Sequence, residues 1–184
     1  LSRNNPGNNV GERIPYIHYR FSKRDYLEIT VIAKGAGSEN MSALAMLTPS
    51  QGITGVKQFI LETVVQAGGR PCPPTILGIG LGGSADVAVE LSKEALLRPI
   101  NVRNQNPEVA RLELELLEGI NELGIGPMGL GGRTTTLGVN IEYAYCHTAS
   151  LPVAISFQCW ADRVATARMY ADRSVEYCIG GGHE

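Results

Sequence analysis

The chain has 184 residues, of which 43% are hydrophobic, and a formal net charge of −2 at pH 7. This length and composition are typical of one globular domain with a buried core, and we expect residues 1–184 to form a single domain. The near-neutral charge gives no electrostatic basis for binding nucleic acid or an anionic membrane, and no apolar run is long enough to span a bilayer.

The first predicted elements are a strand, a glycine-containing turn and a helix. β-Branched and aromatic residues over 26–33 predict the strand, and residues 34–40 predict the turn. A helix is expected to begin at Pro49-Ser50 and to end at Gly68-Gly69. Its buried face is predicted from apolar residues at helical spacing, which are Ile53, Val56, Phe59, Ile60 and Val64.

A proline-rich turn around Cys72 is the most unusual local feature of the sequence. Pro71, Pro73 and Pro74 fix φ and remove backbone donors, so we expect Cys72 on a stiff, non-helical segment suited to a metal or cluster ligand. Residues 75–80 predict a short buried strand. The Gly78–Gly83 run departs from the GxGxxG spacing and no acidic residue follows on a second strand, so a nucleotide-binding domain is a weaker alternative.

The second half of the chain alternates helices with strands. Ser84 is expected to begin a helix that reaches about Leu97, with Val87, Leu91 and Ala95 inward, and Asn106-Pro107 to begin another that ends at Leu123-Gly124. Strands are predicted over 136–145, 152–157 and 164–170, which gives an α/β fold of mixed sheets packed with helices rather than a Rossmann fold. The acidic residues of the second helix are predicted to face solvent rather than to bind metal: Glu113, Glu115, Glu118 and Glu122.

The four cysteines, at 72, 146, 159 and 178, are few for a disulfide scaffold and contain no CxxC pair for zinc. Together with an N-terminal segment that lacks the apolar core of a signal peptide, they predict a reduced, cytoplasmic protein. Cys146 is predicted to fill the core rather than to act with His147, because neighbours on an extended segment point to opposite faces. A metal site shared by Cys72 and Cys159 is one possibility among these readings.

Several motifs in a fixed order resemble the iron–sulfur α-subunit module of class I fumarases and L-tartrate dehydratases. They are Ala33–Ser38, Cys72-Pro73-Pro74 with the Gly78–Gly83 run, Leu97-Arg98-Pro99, Leu123–Gly132, His147–Pro152 and Gln158–Arg163. The resemblance covers essentially the whole chain and implies a hydro-lyase that depends on a [4Fe–4S] cluster. The His-Thr-Ala-Ser-Leu-Pro motif is more similar to fumarases, which implies reversible dehydration of L-malate to fumarate. L-Tartrate or another 2-hydroxy diacid is the alternative substrate.

The resemblance also implies roles for particular residues. Cys72 and Cys159 match the second and third cluster ligands, and Gly35, Gly37 and His147 match positions that bind the dicarboxylate substrate. The family's first ligand and a catalytic Asp lie in a Cys-Gln-Asp-Thr-Gly motif upstream of residue 1. The chain is therefore expected to be an N-terminally truncated product, about the C-terminal two-thirds of the module.

The resemblance implies that the rest of the active site lies outside this chain. The resemblance assigns the proton-abstracting base to a β subunit or a C-terminal domain, and it implies a homo- or hetero-oligomer. A reading of a different class is a folded fragment without cluster or catalysis, in which Cys72 is simply a free thiol.

Overall fold

The computed structural model describes residues 7, 8 and 10–179, and within them the chain forms two β-sheets with helices packed on the larger one. Short 3₁₀ turns lie at Pro49–Gln51 and Pro127–Gly129. The elements in chain order are β1 (Tyr26–Ile32), α1 (Ala36–Glu39), β2 (Ala43–Leu47), α2 (Gly52–Ala67), β3 (Thr75–Leu81), α3 (Ala85–Ala95), α4 (Pro107–Glu122), β4 (Thr136–Tyr143), β5 (Leu151–Gln158), β6 (Val164–Tyr170) and β7 (Val175–Ile179).

The four-stranded sheet has the order β2-β5-β3-β4. β3 and β4 are parallel, whereas β5 runs antiparallel to both β2 and β3. Ile79 is the central register point, opposite Ile141 on one side and Ile155 on the other. This mixture of directions confirms the predicted α/β fold with mixed sheets and is not the parallel order of a Rossmann fold.

The main core lies between one face of this sheet and helices α2 and α4. Alternate residues of β3, β4 and β5 point to that face, as the two-residue period of a strand requires. Each fully buried aliphatic side chain stabilises the fold by about 1.5–3 kcal/mol relative to exposure. The buried residues of this core are Val56, Ile60, Val64, Ala67, Leu77, Ile79, Leu112, Leu116, Ile120, Val139, Ile141, Val153, Ile155 and Phe157.

Helix α3 covers the opposite face at unusually short range. A Cβ atom on Gly80 would lie 1.9 Å from the Ala88 carbonyl oxygen, so only glycine allows this approach. The buried residues of α3 are correspondingly small, Ala88, Ser92 and Ala95. The prediction that Val87 and Leu91 form the inner face was wrong, because the helix meets the glycines of β3 with its small residues.

Helix α4 begins and ends close to the predicted residues, and Asn106 caps it by accepting a hydrogen bond from the Glu108 N–H at 3.0 Å. The prediction that Glu113 faces solvent was wrong. Its side chain is fully buried, 2.7 Å from the Arg98 guanidinium, and it also accepts the Ile141 N–H at 2.9 Å. Glu113 therefore pairs with a largely buried cation and satisfies a buried backbone N–H of the edge strand β4.

The three-stranded sheet has the order β1-β6-β7, with all pairs antiparallel. Its half-buried face carries polar pairs, such as the Thr30–Thr166 hydrogen bond at 2.9 Å and the Glu28–Arg168 ion pair at 2.9 Å. Its other face is apolar and exposed, with Leu27, Ile29, Val31, Met169, Val175 and Tyr177.

Four further elements differ from the prediction. β2 and β7 were not predicted, and residues 36–39 form one turn of helix where a simple turn was expected. The predicted helix at Pro49 splits into a 3₁₀ turn and α2, and Ile53 of its expected buried face is exposed. No helix of the described residues has the length and apolar character required to cross a bilayer.

Candidate active site

Cys72 lies on a strained turn before β3. Its φ is +58°, a left-handed conformation that few non-glycine residues adopt, and its N–H donates to the Gly69 carbonyl at 3.1 Å. The thiol is free and exposed. A conformation of this kind costs about 1–3 kcal/mol and persists where the surroundings fix it, often at functional sites. The strained conformation therefore indicates a functional role for Cys72 rather than a role in packing.

Cys159 lies beside Cys72. It follows the last residue of β5, Gln158, which pairs with Ile76 near the start of β3. The next residue, Trp160, donates its N–H to the Cys72 carbonyl oxygen at 3.3 Å. The two free thiols thus lie at the same end of the four-stranded sheet, which we call the cysteine end: the segments 33–42, 68–74, 124–135 and 159–163.

Two glycine-containing segments pack around the Cys72 turn. A Cβ atom on Gly37 would lie 2.8 Å from the Arg70 carbonyl oxygen, so the Gly35–Gly37 segment meets the turn through its backbone. On the other side, the Met128 N–H donates to the Pro73 carbonyl at 2.8 Å, and a Cβ on Gly69 would lie 2.7 Å from the Met128 oxygen. Glycine at positions 37 and 69 therefore allows two backbone segments to pack directly against the Cys72 turn and hold it in place.

A charged cluster adjoins the cysteine end. Lys34 Nζ lies 3.0 Å from one Glu39 carboxylate oxygen, and Lys93 Nζ donates to the other at 2.8 Å. Burial lowers the pKa of Lys34, against the opposing effect of Glu39. Burial alone would raise the pKa of Glu39, but the two lysines outweigh it and hold this pKa below its usual range. Lys34 is also tied to the turn that carries Cys159, because the N–H of the preceding Ala33 donates to the Arg163 carbonyl at 2.9 Å.

His147 lies at the other end of the sheet. It is exposed in the loop between β4 and β5, where its Nδ1 accepts the Ala149 N–H at 3.1 Å. β5 separates this loop from Cys159, and its eight residues span about 26 Å at roughly 3.3 Å per residue. The structure thus brings Gly37, Cys72 and Cys159 together and places His147 apart from them within one chain.

Other residues singled out in the sequence are not at the cysteine site. Cys146 is exposed and donates its thiol to the Ser150 carbonyl at 3.2 Å, so the prediction that it fills the core was wrong. Cys178 lies in β7, paired with Thr166. Arg163 is exposed at the cysteine end, and its carbonyl accepts the Ala33 N–H at 2.9 Å.

Two residues of the cysteine end were missed by the sequence analysis. Lys34 was treated as part of a turn, although it adjoins the glycines of a recognised motif. Gln158 is fully buried at the end of β5, and neither of its side-chain amide atoms has a hydrogen-bond partner among the described residues. A polar residue that ends the apolar run Leu-Pro-Val-Ala-Ile-Ser-Phe-Gln was the available signal.

The donor set fits part of an iron–sulfur site. Thiolates are the usual ligands of such clusters, and Cys72 and Cys159 supply two of them at one end of the sheet. Among residues 7, 8 and 10–179, no group of three or more His, Cys, Asp or Glu side chains is arranged to hold a metal ion. A cluster at this position would therefore take further ligands from outside the described residues.

Comparison with known proteins identifies relatives of this chain. The model of the family described as fumarate hydratase (Fumerase) matches residues 1–168. The putative L(+)-tartrate dehydratase subunit alpha of Methanocaldococcus jannaschii is 59% identical over 174 residues, which cover 94% of this chain and 61% of that protein. The L(+)-tartrate dehydratase subunit alpha of Escherichia coli K12 is 40% identical over 173 residues, covering 94% and 57%. The chain therefore spans about three-fifths of the length of these relatives.

Proposed function

The chain belongs to the fumarate hydratase (Fumerase) family, and we propose that it forms part of a [4Fe–4S]-dependent hydro-lyase that removes water from a 2-hydroxy diacid. The observation that supports this most directly is that Cys72 and Cys159 lie close together at the cysteine end. The N–H of Trp160, which follows Cys159, donates a hydrogen bond to the Cys72 carbonyl. A strained turn and a strand end fix the two thiols, and glycine-containing backbone packs directly against the turn that carries Cys72.

L-Malate is the proposed substrate, because the His147–Pro152 motif is more similar to fumarases. L-Tartrate is the second candidate, and the names of the relatives favour it. The two acids differ by one hydroxyl group at C3, so the same site chemistry serves both. The ratio of kcat/KM for the two substrates decides between them. If L-tartrate is turned over faster, it becomes the proposed substrate instead of L-malate.

The residues of this chain are proposed to hold the cluster and to position one end of the substrate. Cys72 and Cys159 are the ligands that this chain supplies. When bound, the cluster provides an iron that acts as a Lewis acid on the substrate hydroxyl. Gly35 and Gly37 let the backbone approach a substrate carboxylate, since no side chain intervenes. The third ligand and the groups that transfer protons are assigned to polypeptide other than the described residues.

His147 is proposed to reach the substrate from a neighbouring subunit. Within one chain the length of β5 keeps it about 26 Å from Cys159. In an oligomer where the His147 loop of one copy faces the cysteine end of another, His147 of the first copy lies close to Cys159 of the second. The relatives are named alpha subunits, so we also propose a β subunit that completes the assembly.

The proposed function is tested by anaerobic reconstitution of the full-length protein with its partner. We expect iron and sulfide in the ratio of a [4Fe–4S] cluster, together with dehydration of L-malate. Cys72→Ser and Cys159→Ser should each remove the cluster and the activity. Cys178→Ser is the matched control and should keep both, because that thiol lies in β7 of the three-stranded sheet. A wild-type protein without cluster, or a Cys72→Ser protein with full activity, contradicts the proposal.

The role of His147 is tested by mixing two inactive variants. His147→Asn and Cys72→Ser chains are co-expressed so that mixed oligomers form. If His147 acts across a subunit interface, one site of a mixed pair is intact and activity returns to a fraction of wild type. If both residues serve a site within one chain, every site in the mixture carries a defect and activity stays at the level of the separate variants.

A further inference from the structure

Buried polar atoms without partners concentrate at the cysteine end. Buried side-chain nitrogen and oxygen atoms are normally hydrogen-bonded, so each exception calls for an explanation. Among the described residues, the buried atoms without a hydrogen bond are Ser42 Oγ, Asn140 Oδ1, both Nε2 and Oε1 of Gln158, and Lys34 Nζ, which has only its ion pair with Glu39. All of these except Asn140 lie in the segments that adjoin the C-terminal end of β5.

Gln158 is the clearest exception. Its side chain is fully buried, and both its donor and its acceptor are unused within the described residues. Its backbone pairs with Ile76, so the residue is fixed in the sheet immediately before Cys159. A wholly buried amide that makes no hydrogen bond destabilises a fold, and an apolar side chain of the same size would fit this position better. The amide therefore points to a partner outside the described residues.

Lys34 is the second donor. Its ammonium group is shielded from solvent, and its single carboxylate neighbour, Glu39, is shared with Lys93. An ammonium group carries three N–H donors, which one shared carboxylate does not saturate. Lys34 follows β1, whose last residue pairs with Val164, and the Ala33 N–H bonds to the Arg163 carbonyl. This places Lys34 against the turn that carries Cys159.

Lys34 Nζ and Gln158 Nε2 are both donors, and Lys34 is positively charged, so an anionic acceptor is the partner that the two can share, whereas Gln158 Oε1 requires a separate donor. The anionic atoms expected at this position are the sulfur atoms of the cluster and of its Cys159 ligand. We propose that Lys34 and Gln158 are positioning residues that donate hydrogen bonds to the sulfur atoms on the Cys159 side of the cluster. This inference rests on the proposed function, since it requires a cluster at the cysteine end.

Two physical consequences follow for the loaded protein. Hydrogen bonds and positive charge near the sulfur atoms favour the reduced cluster and raise its reduction potential. Groups that surround metal ligands in this way also slow loss of the metal, and their removal typically weakens metal affinity by about 10–100-fold. A substrate carboxylate is the other anionic acceptor available here, but it would leave the substrate-free cluster insensitive to both residues.

The first experiment compares Gln158→Met in the cluster-free and cluster-loaded full-length protein. In the cluster-free protein the substitution removes two unpartnered polar atoms, so the thermal midpoint should rise or stay unchanged. In the loaded protein it removes a hydrogen bond to sulfur, so the rate of cluster loss to a chelator should increase about tenfold. This opposite response separates a role toward the cluster from a purely structural one, which would shift both forms in the same direction.

The second experiment uses Lys34→Met with Lys93→Met as its matched control. Both variants break a Glu39 ion pair, but Lys34 follows Ala33, whose N–H bonds to the Arg163 carbonyl, whereas Lys93 lies on α3. In an EPR-monitored redox titration without substrate, Lys34→Met should shift the cluster potential to a more negative value, whereas Lys93→Met should match wild type. Lys34→Arg, which keeps the charge, should restore most of the potential.

The outcomes distinguish this inference from the proposed function. A wild-type protein that takes up no cluster overturns both. A cluster whose potential and stability are unchanged in Lys34→Met and Gln158→Met overturns the inference alone. A variant that raises KM without changing the substrate-free cluster also overturns it, because that result assigns the donors to the substrate carboxylate.

Discussion

The two sheets of this chain differ in how far they bury isoleucine side chains. Ile155 in the four-stranded sheet is fully buried, whereas Ile29 in the three-stranded sheet keeps 46% of its surface exposed. Helices cover both faces of the first sheet, but the apolar face of the second has no covering element among the described residues. The first sheet is thus buried on both faces among the described residues. The second carries neighbouring apolar side chains on one exposed face, and contiguous exposed apolar patches often mark interaction surfaces.

The buried ion pairs beside β4 provide the strongest expected test of this difference. Glu113→Ala removes a fully buried carboxylate that pairs with Arg98 and accepts the Ile141 N–H, which leaves that N–H unpaired and Arg98 with Glu142 as its remaining carboxylate partner. Loss of one member of such a pair typically costs about 3–5 kcal/mol. We expect the free energy of unfolding, measured by urea denaturation, to fall by this amount.

The control for this prediction is Glu118→Ala on the same helix. Glu118 is exposed, and substitutions at exposed positions usually change stability by less than about 0.5 kcal/mol. A Glu113→Ala loss as small as that of the control would show that the four-stranded sheet does not depend on this network. Such a result would agree with the sequence-based prediction that Glu113 faces solvent.

The isoleucine pair gives the most direct comparison of the two sheets. Ile155→Ala opens a cavity in the main core, and substitutions of this kind cost about 2–5 kcal/mol. Ile29→Ala removes side-chain atoms from an exposed surface and should cost less than about 1 kcal/mol. Urea unfolding of both variants measures the difference. Equal losses would mean that the three-stranded sheet is covered in solution, and the contrast between the sheets would then be lost.

The sequence was sufficient for the parts of the fold that local patterns determine. The capping asparagine Asn106 and the glycine end of α2 were located correctly, because caps and breakers act within a few residues. β2 was missed because its sequence, Ala-Leu-Ala-Met-Leu, consists of good helix formers, and only pairing with β5 makes it a strand. Glu113 was misjudged for a related reason, since its partner Arg98 lies on a different segment.

The candidate site was predictable in a more limited sense. The proline-rich turn marked Cys72 from local chemistry, but the resemblance to a family was needed to connect it with Cys159. Spacing along the chain gave no indication that β5 separates His147 from both cysteines. The polar atoms of Lys34 and Gln158 became notable only when burial could be compared with hydrogen bonding, which no sequence pattern reports. The positions of these site residues depend on pairing between distant strands, which local sequence patterns do not encode.

The smallest expected effect comes from a pair of valine substitutions that add one hydroxyl to each sheet. Val139 is fully buried in the main core, so Val139→Thr places a hydroxyl among apolar side chains and should cost about 1–3 kcal/mol. Val31 lies on the exposed face, where threonine keeps the β-branched shape and its hydroxyl remains hydrated, so Val31→Thr should change stability by less than about 0.5 kcal/mol. Thermal unfolding of the two variants at equal concentration measures both values. A large loss for Val31→Thr would show that this face is buried in the protein as it exists in solution, because only a dry environment penalises that hydroxyl.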